Sequence, residues 1–121
     1  SYTKFVYSDI EVSASEIALD ETVTVTAAVH NEGTMEADEV VQLYVRDLVG
    51  NVTRPVKELK GFQRIRLKPG ERRKVSFELG PDDLAFYGRD MKLITEAGEF
   101  HVWIGGSSEA GLRSAFNIVD N

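Results

Sequence analysis

Apolar residues in this chain recur at every second position, in stretches too short for helices, and that period dictates how it can fold. The clearest case is residues 22–30, where Val23, Val25, Ala27 and Val29 share one parity and Thr24, Thr26, Ala28 and His30 the other. Successive side chains of a strand point to opposite faces, so this alternation reads as a strand with one face in a core. Residues 38–47 repeat the pattern, with Val41, Leu43 and Val45 set against Gln42, Tyr44 and Arg46. Val40 and Tyr44 make the second face partly apolar, which predicts a strand inside a sheet rather than at its edge.

The rest of the chain supplies neighbours for these two strands. Residues 5–12 carry Phe5 and Tyr7 on one parity, Ile10 and Val12 on the other, and Ser8-Asp9 between them. A bulge in a first strand accounts for that switch. Residues 13–21 form a polar connection with Ile17 and Leu19 as inward plugs. Asn31-Glu32-Gly33-Thr34 punctuates the next strand, with Gly33 as a candidate for a left-handed turn conformation. Pro55 cannot donate to a central ladder, so the segment after the polar loop 48–53 should begin at an edge or in a loop. Gln63, Ile65 and Leu67 then alternate with Arg64, Arg66 and Lys68, up to Pro69-Gly70. Proline suits the second position of a tight turn and glycine the positive φ of the third, so a hairpin or a sharp sheet-changing connection follows. Val75, Phe77 and Leu79, then Phe100, Val102 and Ile104, then Leu112, Ser114, Phe116 and Ile118 mark further strands. His101 and Trp103 lie on the parity opposite the core. Residues 81–87 read as one helical turn closing an open end of the fold, and residues 91–95 as a short strand anchored by Met91 or Leu93.

About seven short antiparallel strands and no long helical period argue for an all-β, two-layer β-sandwich, preferably immunoglobulin-like. Alternation alone leaves a small barrel or jelly roll open. A parallel βαβ fold is disfavoured because no connection holds a crossover helix. At 121 residues the chain is one domain, 1–121, large enough for a core. It has no cysteine, which excludes a disulfide framework and a zinc–thiolate site. A net charge of −6 argues against nucleic acid or an anionic membrane as partner. No apolar run approaches the roughly 20 residues of a membrane helix. Ser1-Tyr2-Thr3-Lys4 carries neither an initiating methionine nor a leader, as expected of a fragment or processed product, so localisation stays open.

Little in the sequence supports catalysis. Neither His30 nor His101 sits in a triad or metal motif, and no glycine-rich phosphate loop occurs. Asp38/Glu39, Asp82/Asp83 and Glu96/Glu99 are carboxylate pairs of the kind glycoside hydrolysis uses, yet all lie beside turns or at strand ends, where solvated charge is the ordinary outcome. Tyr2, Tyr44, Tyr87 and Trp103 could present flat faces to sugar rings, or pack against another domain. Arg54, Lys57, Lys60, Arg64 and Arg66 form a basic patch whose first reading is solvated charge and whose second is an acidic neighbouring domain. Asn51-Val52-Thr53 meets the N-glycosylation pattern, which matters only in a eukaryotic secretory host.

One family resemblance runs through nearly the whole chain. Asp38-Glu39-Val40-Val41-Gln42-Leu43-Tyr44-Val45 followed by Val52-Thr53-Arg54-Pro55-Val56-Lys57-Glu58-Leu59-Lys60-Gly61-Phe62 closely resembles the C-terminal fibronectin type III-like domain of family 3 glycoside hydrolases, chiefly β-glucosidases and β-xylosidases. Leu67-Lys68-Pro69-Gly70-Glu71, Asp83-Leu84-Ala85-Phe86-Tyr87 and Gly98-Glu99-Phe100 continue the likeness, and residues 1–6 resemble the junction to the preceding domain. Gly88-Arg89-Asp90 departs from it, since many relatives place an acidic residue directly after the tyrosine. In that family the catalytic carboxylates belong to the preceding domains, so the resemblance implies no catalytic residue, no metal and no cofactor here. It implies a non-catalytic accessory domain that packs against the catalytic domains of a β-glucosidase-like parent, stabilises it, and helps shape its oligomer or substrate entrance. Tyr44, Arg54, Phe62, Phe86, Tyr87 and Trp103 are the residues expected at domain-packing or sugar contacts. The rival expectations are a carbohydrate-binding module, with oligosaccharide as partner, and a stand-alone adhesive domain. A second subunit is a further expected partner, and a periplasmic or secreted location is the compartment the likeness implies.

Overall fold

A computed structural model describes residues 4–48, 57–87 and 92–120, except for the side chain of Tyr87. Ten strands occur among these residues: β1 Phe5–Val12, β2 Glu16–Ala18, β3 Val23–Asn31, β4 Ala37–Asp47, β5 Glu58–Leu67, β6 Arg72–Leu79, β7 Phe86–Tyr87, β8 Leu93–Ile94, β9 Gly98–Gly105 and β10 Arg113–Val119. Three of them form a sheet in the order β1-β3-β6, and five form a second in the order β2-β10-β9-β4-β5. The short pair β7-β8 stands apart from both. The all-β sandwich expectation holds, but the count of about seven was low. The two-residue strands β7 and β8 are too short to show a period, and β2 hides in what reads as a polar connection. β2 also runs parallel to β10, so the pairing is not wholly antiparallel.

The two inner faces follow the predicted parity. Val23, Val25, Ala27 and Val29 of β3 face Val41, Leu43 and Val45 of β4 and Phe100, Val102 and Ile104 of β9 within one core. The rings of Phe100 and Phe116 stack at 5.4 Å in its middle. Burying a side chain the size of Leu43 is worth about 1.5–3 kcal/mol, so this interlayer contact is the main source of stability. β4 lies between β9 and β5, the interior position expected of it, and β5 and β2 are the two edge strands of that sheet.

Turn chemistry sets how the sheets connect. Asp9 adopts φ 57° at the irregularity between Ser8 and Glu11, which is the bulge that the parity switch called for. Gly70 has φ 81° and the Glu71 N–H donates to the Lys68 carbonyl at 2.9 Å, so Pro69-Gly70 closes a tight turn. That turn carries the chain from the five-stranded to the three-stranded sheet and is not a hairpin within one sheet. Gly33 does not take a left-handed conformation. Its turn is built instead by Asn31, whose buried side chain accepts from the Gly33 N–H at 2.9 Å and donates to the carbonyls of Met35 and Leu67 at 2.9 and 3.0 Å.

Residues 80–86 close the opposite end of the sandwich. The Asp83 carboxylate accepts from the Gly80 N–H at 2.8 Å, and Leu84 and Phe86 are inserted into the core. Leu93, expected as an anchor, is 57% exposed because β8 pairs only with β7 and has no sheet above it. Met91 lies outside the described residues.

Candidate interaction face of the five-stranded sheet

Pairing between β4, β5 and β9 decides which side chains share the outer face of the five-stranded sheet. Tyr44 stands opposite Trp103 on one side and Leu59 on the other, and Gln42 opposite Phe62. A register shift between Leu43 and Tyr44 leaves Lys60 as an extra residue in β5. Gly61 follows it because the Phe77 ring of the other sheet reaches across to this point: a Cβ there would lie 3.0 Å from the ring. The bulge brings Leu59 to the same outer side as Phe62, and the two are 50% and 67% exposed.

Trp103 lies on this outer face and is nevertheless only 7% exposed. Cations and a histidine cover it. The Lys57 ammonium sits 4.3 Å from the centre of the ring, the Arg46 guanidinium 5.4 Å, and His101 meets it edge-on at 6.0 Å. Lys57 Nζ also donates to the Ser108 carbonyl at 2.7 Å and lies 5.8 Å from the Tyr44 ring. The Tyr44 hydroxyl donates to Gln42, whose amide in turn donates to the Gly106 carbonyl at 2.8 Å. Partial burial and the neighbouring Arg46 charge hold the Lys57 ammonium below the usual lysine range. Arg46 Nε is buried and has no hydrogen-bond partner among the described residues.

Of the residues expected at contacts, Tyr44, Phe62 and Trp103 therefore meet on one face. Phe86 does not join them. It is 3% exposed, lies 6.3 Å from the Phe100 ring inside the core, and has the Lys60 ammonium at 4.7 Å. Arg54 and the Tyr87 side chain lie outside the described residues. Arg46 and Leu59 belong to the face and escaped notice. Arg46 shares the parity of Tyr44, which was the available signal, whereas the bulge at Lys60 conceals the direction of Leu59.

The expected basic patch divides. Arg66 pairs with Glu36 at 2.8 Å and Asp38 at 2.9 Å, and Lys60 pairs with Glu58 at 3.1 Å. The carboxylates also have structural duties that the solvated reading missed. Glu39 takes the inner parity at the sandwich end and accepts the Tyr7 hydroxyl proton at 2.8 Å, beside a cavity of about 340 Å³ also lined by Phe5, Gly106 and Leu112. Burial, that hydrogen bond and the Glu39 charge raise the Tyr7 phenol well above its ordinary value of 10.0. His101 contacts Glu99 at 3.1 Å and Arg113 at 3.4 Å on the sheet surface, and His30 contacts Glu32 at 3.5 Å. Among the described residues no group of three or more His, Asp or Glu side chains could hold a metal ion, and no helix is long and apolar enough to cross a membrane.

Residues 39–108 match the model of the fibronectin type III-like domain family. The chain is 46% identical over 118 residues to a putative β-xylosidase of Formosa agariphila, covering 98% of this chain and 16% of that protein. It is 40% identical over 119 residues to the periplasmic β-glucosidase of Salmonella typhimurium, again 98% of this chain and 16% of that one. Among solved structures, a β-glucosidase from Erythrobacter marinus superposes with a TM-score of 0.88 at 37% identity, over 97% of this chain and 16% of the other. The chain thus spans about a sixth of the length of the relatives it matches. It belongs to the fibronectin type III-like domain family, and it corresponds to the accessory domain found in the C-terminal portion of family 3 β-glucosidases and β-xylosidases.

Proposed function

We propose that the chain serves as a non-catalytic packing domain of a larger glycoside hydrolase that acts on terminal β-glucosides or β-xylosides. The observation that carries this reading is the alignment of nearly all of the chain within a sixth of proteins named β-xylosidase and β-glucosidase. Supporting it is the outer face of the five-stranded sheet, where Leu59 and Phe62 stand exposed beside a closed Trp103. Such an apolar strip suits a surface that another domain covers. Removing the 121 residues from the parent polypeptide should lower expression of folded enzyme and its thermal midpoint, and should change its oligomeric state if the domain also faces a second subunit. Unchanged folding, assembly and activity would sink the role.

Oligosaccharide binding is the weaker alternative. Sugar stacking needs an open aromatic face, and Lys57 and Arg46 occupy that of Trp103. Titration with cello- and xylo-oligosaccharides, followed by Trp103 fluorescence, should give no saturable change. The name of the Salmonella relative supports a periplasmic or secreted location for the parent, which fractionation of the producing cells would test.

A further inference from the structure

Apart from Arg46 and Lys57, the described lysines and arginines of this acidic chain are either exposed to solvent or paired with a carboxylate. Arg66, Lys60 and Arg73 each have a carboxylate at 3.1 Å or closer. Arg46 and Lys57 have none within ion-pair distance among the described residues, although they share one aromatic ring, at 5.4 and 4.3 Å. Two like charges held together at a half-buried site, with Arg46 Nε buried and unbonded, raise the free energy of the free domain. Burial first and the Arg46 charge second depress the Lys57 ammonium. A carboxylate placed over the two would relieve it, and charge complementarity of this kind fixes partner and orientation. Next to the cations, Leu59 and Phe62 are the apolar groups left exposed on the same face. The face is thus locally positive in a molecule of net charge −6.

We propose that this face docks onto a carboxylate-bearing, otherwise apolar surface of the larger glycosidase polypeptide, with Arg46 and Lys57 as its cationic anchors and Leu59 and Phe62 as its apolar ones. This rests on the packing-domain reading above. Tyr44 and Trp103 form the rigid base that holds the anchors in place rather than the contact itself. The counter-charge is an Asp or Glu in the same polypeptide, outside these 121 residues.

Zero-length carbodiimide cross-linking of the full-length parent, read by peptide mass spectrometry, tests this directly. Lys57 should be joined to an Asp or Glu outside the 121 residues. The double variant Arg46→Glu/Lys57→Glu should abolish that product and lower the thermal midpoint of the parent, and Lys57→Arg should retain the midpoint. Amide spectra of the 121-residue variant should keep the dispersed pattern of the intact sandwich, which separates lost docking from lost folding. A Lys57 link only to residues within the domain, or to a second copy, overturns the proposal, as does a double variant with an unchanged midpoint. If deleting the whole domain also leaves the parent unaffected, the packing-domain reading itself fails. If deletion is harmful while the double variant is silent, only the present assignment fails.

Discussion

The two sheets have equivalent inner faces and very different outer ones. Outside the three-stranded sheet, Thr24, Thr26, Ala28 and His30 of β3 stand beside Glu78, Ser76, Lys74 and Arg72 of β6. The hollow between β1 and β6, about 380 Å³, has acidic Asp9 and Glu11 on one wall and basic Arg72 and Lys74 on the other. Small floors and mixed charge suit water. Outside the five-stranded sheet, like-signed cations share a tryptophan and two large apolar residues are exposed. Inner parity therefore specifies the sandwich, and the chemistry of the outer parity distinguishes the side that faces solvent from the side that can meet a partner.

The largest effects should come from the inner faces that the sheets share. Leu43→Ala leaves a cavity between the layers and should cost about 3–4 kcal/mol in urea denaturation, whereas Thr26→Ala on the outer three-stranded face should cost less than about 0.5 kcal/mol. Comparable losses would mean that the outer face is not the solvated one. Asn31→Ala comes next. It removes three side-chain hydrogen bonds that link the end of β3 to the turn before β4 and to the Leu67 carbonyl of the other sheet. Leaving those backbone groups buried and unpaired should cost about 2–3 kcal/mol, measured the same way.

A pH effect follows from Tyr7, which ties β1 to Glu39 across the sheets. Its folded-state phenol is raised above 10.0, so the native state holds its proton more tightly than the unfolded chain does. Stability from this site is complete below pH 10 and is lost as pH rises above it. Thermal midpoints between pH 8 and 11.5 should fall at the alkaline end, and Tyr7→Phe should flatten that fall. An identical alkaline slope in the variant would assign it to other groups.

Much of the fold was legible because the inner faces of the long strands β3, β4 and β6 advertise themselves with a period of two. The core of β3, β4, β6 and β9 follows directly, as do the bulge at Ser8-Asp9 and the turn at Pro69-Gly70. What stayed hidden depends on contacts distant in sequence. Gly33 reads as a turn glycine, but the conformation there is set by Asn31, whose partners include Leu67, 36 residues away. Glu39 reads as a solvated strand-end acid until β1 brings Tyr7 to it. The candidate face is half legible: Tyr44, Phe62 and Trp103 read as contact residues and share it, while Phe86, which reads both as a contact residue and as a plug at the sandwich end, lies in the core. Parity alone cannot report that Lys57 and Arg46 close over an outward-facing tryptophan, because Lys57 belongs to no strand and follows Arg46 by 11 residues.

Phe62→Ser should have the smallest effect on the chain itself, and it discriminates most sharply between the two outer faces. At 67% exposure Phe62 has little buried area to lose, and β-propensity accounts for a few tenths of a kcal/mol, so the unfolding free energy should change by less than about 0.5 kcal/mol. The same substitution removes the largest exposed apolar group beside Leu59, so any concentration-dependent self-association of the 121-residue chain should weaken in sedimentation velocity. In the full-length parent the penalty should reappear as a lower thermal midpoint, because there the ring is covered. A loss of 2 kcal/mol in the chain alone would make Phe62 a core residue and erase the difference between the faces. A silent substitution in both settings would leave the five-stranded face as solvated as the other.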